Sequence, residues 1–250
     1  MKTYIKETYH LFPSFSKFDG MLAVMSLRND GNMKVYHGGG TYSGTGSNWS
    51  EDITPSKDCV NQISNEELPD SETVDKKAVA NRQKFLSGLS IEYGRSVSVK
   101  SIHGDNIEIV SGSEGGKFID KTDGLISAGS PGLFLCITVA DCIPVVIFEP
   151  KKKIMCLLHC GWKGLVKGII QKAVSIIKDN FSGGKDAFPD SLYAGIGPGI
   201  GVCHFEVEED ILPFFNDYPD SVLTIGAGDM HKSHVKETGP GAEILKPAIA

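Results

Sequence analysis

The sequence predicts an α+β or layered α/β domain, on three observations. The text from residue 94 is rich in strand patterns but lacks regular strand–helix alternation. Residues 164–181 form a clean amphipathic helical pattern, and residues 74–89 form a second. A chain of 250 residues is long enough for one large core, so one domain over 1–250 is expected.

Taken in order, Met21–Arg28 (MLAVMSLR) reads as a strand. Residues 29–72 hold Gly38-Gly39-Gly40, then TYSGTGSNWSED, then acidic polar text. They read as a long polar connection, either a substrate-covering loop or a mobile insertion. Val74–Leu89 reads as a helix with Ala78, Phe85, Leu86 and Leu89 on one face. Arg82 falls on that same face, where a guanidinium needs an acceptor. It can snorkel to the surface, form an internal ion pair, or contact substrate. Strands are expected at 94–102, 105–111, 122–128, 133–139, 143–149 and 153–159. Gly164–Phe181 then carries the apolar stripe Leu165, Val166, Ile169, Ile170, Ala173, Val174 and Ile177, which reads as core. A strand at 191–196, the run GIGPGIG, a short helix near 206–215 and a weakly patterned tail follow.

Composition excludes several functions. The net charge of −6 and the lack of a basic stripe argue against nucleic-acid binding. Lys151-Lys152-Lys153 reads as a solvated turn. No apolar run reaches the length of a membrane span, and the first residues lack a signal-peptide pattern. A cytoplasmic monomer acting on small molecules is the expectation. Thiols stay reduced there, so the six cysteines are not read as three disulfides.

The informative block is TVADCIPVVIFEPKKKIMCLLHCGWKG, residues 138–164. Two apolar strands flank the turn FEPKKK. If Glu149 faces Lys152, then Cys142 faces His159 across the ladder, with Cβ atoms roughly 4.5–5.5 Å apart. A one-residue slip would separate the two onto opposite faces. A thiolate and an imidazole so placed can share a zinc ion, at roughly 2.3 Å for sulfur and 2.0–2.1 Å for nitrogen. His103, in SIHGD before a glycine turn, is the candidate third ligand. Three ligands leave an open fourth position, as catalytic zinc has. Spacing alone equally allows a Cys–His hydrolase, with Cys142 as nucleophile and His159 as base. It also allows ordinary structural roles for all three.

Two further features suit an anion. GIGPGIG lets the N–H groups around Gly197 and Gly199 approach an oxyanion, or else makes a tight structural turn. Arg28 ends the first strand at a loop start, where a guanidinium can bind phosphate. The glycine run matches neither a Walker A loop nor a dinucleotide fingerprint.

At these residues the chain resembles a known family. ADCIP…HCGWKG closely resembles the ADCxP…HAGWRG block of the YfiH-like proteins, also called the laccase-domain or multicopper polyphenol oxidoreductase family. SLRNDG at 26–31, NRQKFL at 81–86, IHGDNI at 102–107, DGLIS at 123–127 and GIGPGIGVCHFEV at 195–207 resemble further family motifs in family order. The resemblance implies a layered α/β/β/α fold with mixed sheets, related to the toxin-like (CNF-type) cysteine hydrolases. It implies that His103, Cys142 and His159 occupy metal-ligand positions. It also implies a zinc-dependent purine nucleoside phosphorylase that cleaves adenosine, inosine, guanosine or methylthioadenosine with phosphate and deaminates adenosine. On this reading Arg28, Arg82, Gly197 and Gly199 would hold substrate or phosphate, and Asp141 is the nearest acidic candidate for a base. Older descriptions of the family name copper and polyphenol oxidation, and some members are linked to peptidoglycan editing. Laccase chemistry needs several coppers and many histidines, and of the seven here only His103 and His159 fall in matching motifs. The chain departs from the family at Ser101, where Gln is usual, and over 29–72, which is long and glycine-rich. It also shows no C-terminal arginine pair, so part of the usual C-terminal region is expected to be missing.

Overall fold

The computed structural model describes residues 5–6, 9–37, 73–181, 191–201, 205 and 212–215. Most of the polar connection expected at 29–72, most of the short helix near 206–215 and the tail lie outside the described residues.

An N-terminal antiparallel sheet joins β1 (Ile5–Lys6), β2 (Tyr9–Leu11) and β3 (Val24–Met25). The strand expected over Met21–Arg28 is thus only its middle, and Arg28 opens a 3-10 turn, Arg28–Asp30. The Asp30 carboxylate accepts the Leu27 N–H at 2.7 Å, which ends the strand there. β4 (Tyr36–His37) pairs with β5 (Thr73–Val74). The helix α1 spans Lys76–Gly88. Asp75 caps it by accepting the Ala78 N–H at 3.0 Å. Its buried face is Ala78, Val79, Arg82 and Leu86, rotated from the Phe85 and Leu89 face the spacing suggested.

Two sheets form the middle of the molecule. β6 (Ser96–Val99) lies between β10 (Phe134–Cys136) and β8 (Phe118–Ile119), parallel to both. The larger sheet runs β13 (Tyr193–Ile196), β11 (Ile143–Glu149), β12 (Ile154–Cys160), β9 (Gly124–Ala128) and β7 (Ile107–Ile109). Its β7–β9 pair is parallel and its other pairs antiparallel. Alternation along each strand sorts the side chains into layers. Ile126, Val145, Ile147, Ile154, Cys156 and Leu158 pack under the helix at Ile169–Phe181, against Ile169, Ile170, Ala173 and Ile177. On the other face Leu125 meets Val97 and Val99 of the smaller sheet and Leu133 just before β10, while Val146 and Phe148 meet Phe12 and Phe15. Helix α1 covers the far side, with Val35 and Phe118. The result is the expected layered arrangement of helix, mixed sheet, smaller sheet and helix.

Two further expectations change in detail. The helix expected at 164–181 is divided into α2 (Trp162–Val166) and α3 (Ile169–Phe181). Gly168 sits between them at φ +77, a left-handed conformation that favours glycine. The β11–β12 hairpin has a longer loop than expected. Glu149 faces Ile154, not Lys152, and Pro144 faces His159. The Glu149 carboxylate accepts the N–H groups of Lys151 at 3.2 Å and Lys152 at 2.7 Å, which holds a four-residue turn. The expected register was therefore off by two residues. A shift of two preserves the face, so Cys142 and His159 still share one side, diagonally and not directly opposite.

Candidate metal centre

His103, Cys142 and His159 converge from three separate segments. Each offers one donor atom, and these atoms all lie within 4.8 Å of one another. The His103 and His159 ring centroids are 4.9 Å apart at 74°. His159 is buried on β12, Cys142 is half-buried just before β11, and His103 is exposed on the turn after β6.

Each position has a local cause. His103 has φ +58, left-handed and uncommon for a side-chain residue. Its N–H donates to Asp123 Oδ1 at 2.9 Å, and the Gly104 N–H to Asp123 Oδ2 at 2.8 Å. Asp123 also contacts His159 Nδ1 through Oδ1 at 3.0 Å, leaving Nε2 to face the other two donors. Gly161 makes the space. A Cβ there would lie 3.2 Å from Cys142 Sγ and 3.3 Å from His103 Cδ2. A Cβ on Gly164 would collide with the Gly104 carbonyl, so α2 presses directly on the histidine turn.

The electrostatics favour a charged cluster. Burial pushes the Cys142 thiol up, but hydrogen bonds from His103 and His159 outweigh it and bring the pKa down to about 6. Burial pushes His159 down, but Asp123 and Cys142 outweigh it and raise the pKa to about 9. Burial opposes ionisation of Asp123, yet its bonds from His159 and the backbone hold it below the usual carboxylate range. A thiolate and two imidazoles fit a soft-to-borderline cation, zinc or copper. One imidazole is already oriented by a carboxylate on its far nitrogen, as metal-binding histidines usually are. The residues present therefore fit a metal.

The other candidate residues differ in placement. Arg28 is exposed, and Asp141 is exposed beside Cys142. Both line the same cavity as the three donors, of about 2040 Å³. Arg82 also lines it, but is buried and engaged internally. Its Nε donates to the Met33 carbonyl at 2.6 Å, its Nη1 to Ser98 Oγ at 2.8 Å and its Nη2 to Thr138 Oγ1. Its guanidinium lies 5.2 Å from the Phe118 ring centroid. Surface snorkelling is thus not its arrangement, and the carbonyl and two hydroxyls that accept from it are neutral. Gly197 gives its N–H to the Pro144 carbonyl at 2.9 Å, so that donor is not free for an anion. Cβ atoms on Gly197 and Gly199 would meet Pro144 Cγ at 2.6 Å and Ile143 Cγ1 at 2.7 Å. Close packing against β11 therefore accounts for glycine at both positions. Asp123 and Gly161 escaped sequence reasoning. The signal for Asp123 is the β9–β12 ladder, which continues from Gly124–Leu158 to bring Asp123 beside His159. The four cysteines among the described residues are free thiols. No helix among the described residues is long and apolar enough to cross a membrane.

Comparison with known proteins gives the family and the fold. The chain is 28% identical over 141 residues to the purine nucleoside phosphorylase YlmD of Geobacillus stearothermophilus, covering 54% of this chain and 50% of that protein. It is 25% identical over 157 residues to the purine nucleoside phosphorylase YfiH of Escherichia coli, covering 62% and 60%. The chain spans about half the length of the curated relatives it matches. The crystal structure of YlmD from Geobacillus stearothermophilus shares the fold at TM-score 0.61 and 22% identity, covering 88% of this chain and 73% of that one. The crystal structure of the Bacillus licheniformis hypothetical protein YfiH does so at TM-score 0.56 and 24% identity, covering 70% and 65%. The family profile described as multi-copper polyphenol oxidoreductase laccase matches residues 67–235, well over half of the chain. The chain belongs to this laccase-like, YfiH-type family.

Proposed function

We propose that His103, Cys142 and His159 hold one zinc ion, and that the protein is a purine nucleoside enzyme. It would split nucleoside and phosphate into free base and ribose 1-phosphate, and hydrolyse adenosine to inosine and ammonia. The observation that carries the reading is the convergence of a thiolate and two imidazoles on the cavity that Arg28 and Asp141 also line. The relatives named purine nucleoside phosphorylases supply the substrate class.

When bound, the metal would supply Lewis-acid chemistry. The chain's own residues do the rest. Arg28, exposed on the cavity wall, takes the phosphate, because a guanidinium matches two phosphate oxygens at once. Asp141, next to Cys142 in sequence and exposed on the same cavity, is the candidate carboxylate to move a proton. Arg82 braces the wall formed by Met33, Ser98 and Thr138, so its contribution to phosphate is secondary to that of Arg28. Gly197 and Gly199 set the close approach of their loop to β11 and act through its shape.

A second reading has its own observation. Asp123, His159 and Cys142 form a carboxylate–imidazole–thiol line, as a thiol hydrolase or amidase acting on cell-wall fragments would need. Incubation with adenosine, with and without phosphate, before and after chelation, separates the two. The zinc reading expects adenine with phosphate, inosine without it, and loss of both on chelation. Absence of both products from metal-loaded protein would reject it. Amidase activity that survives chelation would support the second reading.

A further inference from the structure

The two histidines of the centre come from distant segments, yet one side chain touches both. Asp123 is fully buried at the start of β9. Its Oδ1 accepts the His103 N–H at 2.9 Å and faces His159 Nδ1 at 3.0 Å. Its Oδ2 accepts the N–H groups of Gly104 at 2.8 Å and Ile102 at 3.3 Å. Its own carbonyl accepts the His159 N–H at 2.7 Å, and its N–H donates to the Asn106 carbonyl at 2.9 Å. Every group around the carboxylate is a donor, so an acceptor-only side chain is required there.

We infer that Asp123 is the positioning residue of the metal centre: one carboxylate fixes the His159 ring through Nδ1 and holds the 102–104 turn that presents His103. The inference rests on the reading that these residues bind metal. Two consequences follow from the geometry. His159 must use Nε2 for the metal, because Nδ1 is committed to Asp123. His103 keeps its left-handed conformation only while the turn's N–H groups have an acceptor. Asn at position 123 cannot substitute, although it has nearly the same shape. Its NH2 would face either the His159 Nδ1–H or the turn's N–H groups, donor against donor.

The test is zinc affinity, measured by chelator competition on metal-free protein, for wild type, Asp123→Asn and a control. The control is Glu149→Gln, another buried carboxylate that accepts backbone N–H groups, at the far end of β11. A general loss of stability would weaken both variants alike. The inference expects Asp123→Asn to lose about 10–100-fold in affinity and Glu149→Gln to match wild type. Equal affinity for Asp123→Asn and wild type, or equal loss in both variants, overturns it and leaves the metal reading standing. If wild type binds no zinc, the metal reading itself fails and takes this inference with it. Nitrogen-15 NMR of the zinc-loaded wild type decides the matter even if Asp123→Asn does not fold. The expected result is a slowly exchanging proton on His159 Nδ1 with Nε2 bound to metal. Metal on Nδ1, or no protected Nδ1 proton, overturns the inference.

Discussion

At the scale of single residues, the centre is a set of groups whose ionisation is set by one another. Cys142 and His159 oppose the effect of their own burial, because each stabilises the charged form of the other. In the metal-free protein at neutral pH a thiolate therefore sits beside an imidazolium, and a metal would displace the imidazolium proton. The Cys142 pKa is brought down to about 6, so its thiolate fraction rises as pH rises through that value. Iodoacetamide labelling of metal-free protein should show a Cys142 rate with a midpoint near pH 6. Burial pushes Cys136, Cys156 and Cys160 up, and they should stay unlabelled there. A Cys142 midpoint above pH 8 would contradict this account. Arg82 makes a different point, because its three bonds tie α1 to Met33, Ser98 and Thr138. Arg82→Ala should cost on the order of 3 kcal/mol in urea unfolding, since the buried Ser98 hydroxyl and two part-buried oxygens lose their charged donor. Arg82→Lys should recover little, because an ammonium on a flexible stem cannot span the three directions. Full recovery by lysine would show that charge alone matters. The three donor candidates were nameable from the sequence through the hairpin spacing of Cys142 and His159 and the family resemblance, although spacing alone left other roles open. Asp123 was not, because a carboxylate in DGLIS has no visible purpose until the strand register brings it to His159.

At the scale of elements, the hairpin and the glycine at the β12–α2 junction, Gly161, decide how the donors meet. Both hairpin strands were legible from their apolar runs. Their register was not, because Glu149 folds back onto the turn's N–H groups and lengthens the loop. The conclusion that Cys142 and His159 share a face survived, since strand geometry repeats every two residues. The break at Gly168 was hidden because the apolar stripe runs on through it. Gly168→Ala should destabilise by about 1 kcal/mol through its positive φ, with zinc affinity unchanged. Gly161→Ala should do the reverse. Its new methyl meets Cys142 Sγ and His103 Cδ2, so zinc affinity should fall several-fold while α2 and β12 stay folded. Isothermal titration with circular dichroism on both variants checks the contrast, and an unchanged affinity in Gly161→Ala would contradict the role given to that glycine.

At the scale of the whole molecule, the layered core holds the ends of β6, β11 and β12 in fixed relation, and the donors sit at those ends. The alternation along β9, β11 and β12 made the layers readable, because each strand feeds α3 on one face and the inner packing on the other. What joins the layers at the centre was not readable, because it depends on contacts between residues tens of positions apart. Metal binding by the native state alone stabilises that state by mass action. Zinc-loaded protein should therefore melt several degrees above chelated protein, and His159→Ala should abolish the difference. The central claim is one metal held by His103, Cys142 and His159, and metal content per chain tests it most directly. Protein purified without chelator should carry close to one zinc per chain, and Cys142→Ala close to none. Wild-type content far below one, or equal content in the two proteins, would contradict the account.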